Sequence, residues 1–121
     1  MKLGHIGIPV KDLEASQKFY GAVTPFLGLE CISRGESNNV RYGEGGSTRF
    51  YIHQRSEPIS GVHVCFDVAT REDVDSFYKA ALSVGGTDNG APGVRKLYSP
   101  TYYAAFVFDP DGNNIEAVCR S

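Results

Sequence analysis

The sequence lacks several features that mark specialised classes of protein. No stretch approaches the roughly 20 consecutive apolar residues of a membrane-spanning helix, so no membrane partner is expected. Lysine and arginine total 12 against 14 aspartate and glutamate, and no basic run is present to cover the phosphates of a nucleic acid. The three cysteines are widely spaced and odd in number, which disfavours a disulfide framework. Because no long apolar segment follows Met1, the sequence predicts a cytoplasmic protein with reduced thiols.

What is present fits an ordinary globular protein. The chain has 121 residues, of which 41% are hydrophobic and 21% charged. That length can bury one core, or two small modules that share one, but it leaves no room for a separate cofactor domain.

The two halves of the chain resemble each other. When His5 is set on His63, the segment around each histidine aligns, and the same offset places Phe19-Tyr20 on Phe77-Tyr78 and Gly28 on Gly86. We interpret this as an internal duplication. With a small gap, the segment from Gly46 falls on the segment from Gly112, which sets Phe50 on Glu116.

Each half is predicted to fold as a strand, a helix and three strands. The whole is one α+β domain, with a first βαβββ module over residues 1–56, a second over 60–121 and a linker at Gln54–Gly61. Asp12 and Thr70 are typical helix N-caps. Residues 102–108 and 113–119 alternate as two strands around a proline-glycine turn, whereas the two strands within 31–49 are inferred only by analogy with the second half. The predicted fold is a curved mixed sheet around a cavity.

Strand alternation places three chemistry-bearing side chains away from the helices. Successive side chains of a strand point to opposite faces, so Ile6 and Val64 would pack on the helices while His5 and His63 face the cavity. Glu116 faces the same way by the same logic. Two imidazoles and a carboxylate suit a divalent ion such as Fe, Mn, Ni or Zn, and a carboxylate buried without a partner is costly.

Simpler interpretations stay open. Either histidine could be a hydrogen-bonded structural residue, and Glu116 could pair on the surface with Arg120 or Arg49. His53 is interpreted as a surface residue.

Further candidate residues surround this trio. Phe50 would occupy the fourth symmetric position and face the substrate, which leaves three protein ligands. Arg95 and Tyr98, in a loop before a cavity strand, could hold an anionic substrate or donate to a developing oxyanion, or could simply lie on the surface. Tyr102 and Tyr103 are neighbours on one strand, so only one of them can face the cavity; the sequence does not say which.

These motifs resemble those of the vicinal oxygen chelate superfamily, which includes glyoxalase I, extradiol dioxygenases, fosfomycin-modifying thiol transferases and bleomycin-resistance proteins. The resemblance covers essentially the whole chain. It rests on His5-Ile6-Gly7-Ile8-Pro9-Val10, on Gly61-Val62-His63-Val64, and on Asp109-Pro110-Asp111-Gly112-Asn113-Asn114-Ile115-Glu116. The segment from Asp88 to Cys119 resembles that of a group of small glyoxalase-like bacterial proteins.

The resemblance implies paired βαβββ modules around a metal, with His5, His63 and Glu116 at ligand positions and Glu116 also catalytic. It implies a metal-dependent lyase or isomerase, dioxygenase or thiol transferase that chelates a small substrate through vicinal oxygens. Phe50 stands where glyoxalase I has a further glutamate, which argues against the ordinary glyoxalase I reaction. The alternative is a metal-free protein that sequesters a small molecule, as bleomycin-resistance proteins do. A homodimer is expected by analogy, and the modules would pair either within a chain or across that dimer.

Overall fold

The computed structural model describes residues 3–36, 38–57 and 61–121. The first half contains five elements: β1 (Ile6–Val10), α1 (Leu13–Val23), β2 (Glu30–Glu36), β3 (Asn39–Glu44) and β4 (Ser47–Gln54). The second half repeats their order: β5 (His63–Asp67), α2 (Arg71–Ser83), β6 (Thr87–Val94), β7 (Tyr103–Phe108) and β8 (Asn114–Cys119). A short 3₁₀ helix, Thr24–Leu27, follows α1. The predicted α+β class with two βαβββ units is confirmed.

Each half forms its own four-stranded mixed sheet. The strand orders are β1-β4-β3-β2 and β5-β8-β7-β6. In both sheets the first strand runs parallel to the last, and the other neighbours are antiparallel. Across residues 3–36, 38–57 and 61–121 no strand of one sheet pairs with a strand of the other. The duplication therefore gives two matched sheets.

Local sequence signals explain where the helices begin and end. The Asp12 carboxylate accepts a hydrogen bond from the Ala15 backbone N–H at 3.2 Å, and the Thr70 hydroxyl accepts one from the Asp73 backbone N–H at 3.1 Å. Both side chains satisfy amide groups that the first turn leaves without a partner. Gly85, at a φ of 92°, takes the left-handed conformation just after α2 and turns the chain away.

The turn between β7 and β8 contains a buried carboxylate. Asp109 is 3% exposed, and its side chain accepts hydrogen bonds from the backbone N–H groups of Asp111 and Asn113 and from the Asn113 amide. The Tyr20 hydroxyl of α1 donates a fourth hydrogen bond to this carboxylate at 2.6 Å. Because Tyr20 belongs to the first half, this network ties the two halves together.

One continuous core joins the halves through their helices. The ring of Phe50 on β4 meets the ring of Phe66 on β5 edge to face, 5.6 Å between centroids. The helices contact each other on the inner side of the two sheets. Each sheet keeps one face that carries no helix. We call these the first open face (His5, Asn39, Arg41, Tyr51 and His53) and the second open face (His63, Cys65, Tyr102, Phe106 and Glu116).

The remaining points concern single segments of the chain. The predicted linker includes residues 58–60, which lie outside the described residues, so the module boundaries at 56 and 60 stay a prediction. Cys31 is exposed, because β2 is the outer strand of its sheet. Among the described helices none combines the length and apolar character required to span a bilayer.

Candidate functional site

The second open face gathers its polar groups through strand register. Cys65 pairs with Glu116 across β5 and β8, and Phe106 pairs with Glu116 across β7 and β8. His63 lies two residues before Cys65 on the same face of β5. Register and alternation thus bring His63, Cys65 and Phe106 around one carboxylate.

That carboxylate is buried and has two neighbours. Glu116 is 3% exposed, and its Oε1 lies 3.1 Å from Nε2 of His63. The Tyr102 hydroxyl donates to Oε2 at 2.5 Å. Arg120 instead pairs with Asp67, at 2.8 Å. The alternative in which Glu116 pairs with Arg120 is therefore not what the structure shows.

The two adjacent tyrosines point to opposite faces of β7. Tyr102 reaches Glu116, whereas the Tyr103 hydroxyl donates to Asp75 on α2 at 2.7 Å. Of the two candidates, Tyr102 belongs to the second open face and Tyr103 to the helix face. Partial burial, the hydrogen bond to Glu116 and the charge of that carboxylate raise the pKa of Tyr102, so its hydroxyl stays protonated as a donor.

The tautomer of His63 follows from its second contact. Nδ1 lies 3.0 Å from the backbone carbonyl oxygen of Asn114. A carbonyl oxygen only accepts, so Nδ1 must carry the proton that is donated. In a neutral imidazole the other nitrogen, Nε2, then holds a lone pair, and this lone pair is directed at Oε1 of Glu116.

Cys65 lies beside this pair but is not an activated thiol. Partial removal from water and the negative charges of Glu116 and Asp67 raise the pKa of Cys65, which is an exposed residue, to about 12. The thiol is therefore protonated at neutral pH and acts as a small neutral side chain next to Glu116.

Arg95 and Tyr98 lie at the rim of the second open face. The Arg95 guanidinium sits over the ring of Phe106 at 5.3 Å and donates to the backbone carbonyls of Ala91 and Gly93. Tyr98 is 67% exposed, and its ring meets that of Tyr102 edge to face at 5.0 Å. Both predicted residues therefore lie near the site. Arg95 contacts it through the ring of Phe106, and Tyr98 through the ring of Tyr102.

His5 lies elsewhere, on the first open face. It lines a cavity of about 280 Å³ together with Asn39, Arg41, Thr48 and Tyr51. Across the described residues, no three His, Cys, Asp or Glu side chains come together in a group that could hold a metal ion. One chain therefore unites His63 with Glu116 and keeps His5 apart from them.

Phe50 does not occupy the position predicted for it. It is 1% exposed and packs in the core, with its ring 5.0 Å from that of Tyr20. The residue symmetric with Glu116 is Tyr51, because Gly7 pairs with Tyr51 as Cys65 pairs with Glu116. A shift of one residue moves a side chain to the other face of a strand. The misalignment by one residue therefore assigned the core residue Phe50 to the cavity face.

Sequence reasoning missed several residues of the first open face. Tyr51 lies between two histidines, its ring 5.9 Å from that of His5 and 5.7 Å from that of His53. His53 thus shares this face with Tyr51 and is partly buried; burial and the charge of Arg55 lower its pKa. The absence of a side chain at Gly7 was a sequence feature that could have indicated a ring packed on this face, since a Cβ there would lie 2.1 Å from the Tyr51 ring.

The architecture, with a histidine just before the first strand of one half and at the start of the first strand of the other, defines a protein of paired βαβββ modules. The family model described as Glyoxalase/Bleomycin resistance protein/Dioxygenase superfamily matches residues 2–117. The chain belongs to this superfamily. No curated protein matches the chain.

Solved structures share the fold over nearly the whole chain. A glyoxalase/bleomycin resistance protein from Albidiferax ferrireducens T118 is 31% identical with a TM-score of 0.83, and the match covers 98% of each chain. A family enzyme from Burkholderia phytofirmans PsJN is 24% identical with a TM-score of 0.75 and full coverage of both chains. A lactoylglutathione lyase from Agrobacterium tumefaciens is 18% identical with a TM-score of 0.69, covering 98% of this chain and 92% of its own. The last two likenesses concern the fold.

Proposed function

We propose that this protein is a metal-dependent enzyme of the superfamily that binds a divalent ion through His5, His63 and Glu116. It acts on a small molecule that presents two neighbouring oxygen atoms to that ion. Fe, Mn, Ni and Zn all suit two imidazoles and a carboxylate.

The contact between His63 and Glu116 carries the proposal. Nε2 of the neutral imidazole and Oε1 of the carboxylate are both acceptors, yet they lie 3.1 Å apart. Two facing lone pairs repel unless a proton or a cation lies between them. The Nδ1 contact with the Asn114 carbonyl is also the kind of support that metal-binding histidines usually have. These residues fit a metal site.

The third ligand comes from a second copy in this proposal. His5 and the pair His63–Glu116 lie on different open faces. In a two-fold dimer the first open face of one copy covers the second open face of the other, which forms two equivalent sites. The cavity predicted between modules then lies at the interface of a homodimer.

Each residue of the proposed site has a separate role. The ion supplies Lewis-acid polarisation of the substrate oxygens. Glu116 would bind the ion and is the candidate catalytic residue, while the Tyr102 hydroxyl donates its one proton to Oε2 and holds the carboxylate in place. The ring of Phe106 lies beside that of His63, with 6.4 Å between the ring centroids.

Metal content tests the proposal. Protein purified and dialysed against Mn²⁺, Fe²⁺, Ni²⁺ or Zn²⁺ should retain about one ion per chain, measured by elemental analysis. His63→Ala and Glu116→Gln should lose it, whereas His53→Ala, a histidine of the first open face outside the ligand set, should retain it. Wild-type protein that holds none of the four ions would refute the proposal.

A mixed dimer tests whether the site is shared. Co-expressed His5→Ala and His63→Ala chains, purified through two different tags, contain one intact site if each site takes His5 from one copy and His63 from the other. About one ion per mixed dimer is then expected, although each variant alone binds none. A site within one chain would leave the mixed dimer empty.

A metal-free binding protein is the second candidate. Tyr102 already satisfies Oε2 of Glu116, and a protonated His63 would satisfy Oε1, so the buried carboxylate can be paired without an ion. This candidate predicts that the purified wild-type protein contains no metal and still binds a small molecule.

A further inference from the structure

We infer that the first open face binds the carboxylate of a small hydroxy acid, with Arg41 holding the anionic group and Asn39 accepting the neighbouring hydroxyl. This names the substrate class of the proposed enzyme, and it rests on the proposed function only in assuming that both open faces enclose one substrate. The evidence for the anion site itself lies within the first sheet.

Arg41 is a partly buried cation with no counterion among the described side chains. Its Nε donates to the Ser33 hydroxyl at 3.0 Å, which fixes the guanidinium and leaves both terminal nitrogens available. Among the described side chains no carboxylate lies within 4.0 Å of it. Arg49, on the neighbouring strand, is engaged instead with the Gly4 carbonyl at 3.2 Å and with Glu44 at 3.9 Å. A positive charge drawn away from water favours an anionic partner.

The cavity favours one negative charge. Of the five described residues that line it, Arg41 alone is permanently charged, and the others are His5, Asn39, Thr48 and Tyr51. A single planar guanidinium matches a carboxylate through two parallel hydrogen bonds. A phosphate dianion would need further cations.

Asn39 supplies the second recognition element. Its side-chain oxygen is buried and has no hydrogen-bond partner among the described residues. Asn39 and Arg41 are two apart on β3, so they lie on one face with Cα atoms about 7 Å apart. A buried acceptor without a donor is costly, and a ligand hydroxyl next to the carboxylate would satisfy it.

Register and shape make this face unlike its counterpart. Arg41 pairs with Tyr51 as Phe106 pairs with Glu116, so the guanidinium stands where the second sheet has an aromatic ring. The volume of about 280 Å³ is at the lower end of ligand pockets, which fits a small metabolite.

Four small probes test the assignment on the full chain after removal of metal with EDTA. Glycolate, glycolamide, acetate and inorganic phosphate are titrated into ¹⁵N-labelled protein, with the Arg41 Nε–H and the Thr48 and Tyr51 amides as reporters. We expect saturable glycolate binding, at least about tenfold weaker binding of neutral glycolamide, and weaker binding of acetate, which lacks the hydroxyl. Arg41→Gln should remove the preference for glycolate over glycolamide. Asn39→Ala should remove the preference for glycolate over acetate.

The control is Arg49→Gln, which removes the same charge from the same sheet outside the cavity lining and should leave glycolate binding unchanged. Equal binding of glycolate and glycolamide, tighter binding of phosphate, or glycolate binding that survives Arg41→Gln would each overturn the inference. Since the probes act without metal, a failed metal assay with intact glycolate selectivity would refute the metal proposal alone. Full metal loading without glycolate selectivity would refute this inference alone.

Discussion

Two carboxylates are buried to the same extent, and their surroundings differ completely. Asp109 and Glu116 are each 3% exposed. Asp109 accepts four hydrogen bonds, from Tyr20, Asn113 and two backbone N–H groups. Glu116 accepts one clear hydrogen bond, from Tyr102, and faces the lone pair of His63.

The difference separates a carboxylate that holds the fold from one that is available for chemistry. Donors from the protein compensate the burial of Asp109 in full. Glu116 keeps one oxygen without a donor when His63 is neutral, so its burial is compensated only when a proton or a cation arrives. Burial alone would rank the two as equals; the count of donors tells them apart.

Removing the structural carboxylate should have the largest effect. Asp109→Ala leaves the Tyr20 hydroxyl and the Asn113 amide buried without an acceptor, and should lower the free energy of unfolding by about 3 kcal/mol. Urea denaturation at pH 7 measures it, with the exposed Asp88→Ala as control. A loss below about 1 kcal/mol would contradict the structural role of Asp109.

Metal should stabilise the protein only while Glu116 is intact. At a free ion concentration about 100 times the dissociation constant, the wild-type free energy of unfolding should rise by about 2.7 kcal/mol. Glu116→Gln should show no rise, and Tyr20→Phe should show the full rise. Equal stabilisation of Glu116→Gln would place the ion elsewhere.

High pH should weaken the Tyr20–Asp109 contact. Burial, followed by the charge of Asp109, raises the pKa of Tyr20 well above its ordinary value. Between the unfolded pKa near 10 and the higher folded pKa, the unfolded chain binds fewer protons, so stability falls as pH rises, by about 1.4 kcal/mol per pH unit from this group. Urea denaturation from pH 9 to 11 should show a steeper decline for wild type than for Tyr20→Phe. Parallel declines would show that Tyr20 does not titrate in this way.

The isosteric change at the second carboxylate should have the smallest effect on stability. In Glu116→Gln the amide carbonyl keeps the Tyr102 hydrogen bond, and the amide N–H can donate to Nε2 of His63. We expect the free energy of unfolding to stay within about 1 kcal/mol of wild type, measured in urea without metal. A loss as large as that of Asp109→Ala would mean that Glu116 is structural too.

The sequence could predict which side chains of a single strand share a face of the site, because side chains alternate along a strand. The faces of β5 and β8 followed from the parity of His63, Cys65 and Glu116, since one face of each strand is clearly apolar. The helix caps and the Asp109–Gly112 turn were equally local. Alternation alone could not decide which of Tyr102 and Tyr103 faces the cavity. Each face of β7 has a carboxylate that accepts from a tyrosine hydroxyl, Glu116 on one side and Asp75 on the other.

Matching positions between the halves needed information that the sequence did not carry. The turn between β3 and β4 is Gly45-Gly46, whereas five residues, 109–113, separate β7 from β8. Setting Gly46 on Gly112 therefore displaced the alignment by one residue and put Phe50 where Tyr51 belongs. Asn39 escaped attention, and Arg41 could not be placed on a face, because the segment around them is interrupted by glycines and shows no clear alternation.

The turn that buries Asp109 also sets the orientation of the candidate ligand. Asn113 donates to Asp109, and the carbonyl of the next residue, Asn114, receives the proton of His63 Nδ1. Asn113 also accepts from the Val62 backbone N–H at 3.2 Å, one residue before His63. The orientation of the His63 imidazole is thus set by the Asn114 carbonyl, which Asp109 holds in place through its hydrogen bonds to Asn113. Substitutions at Asn113 could retune the angle at which His63 meets an ion while leaving every ligand in the sequence intact.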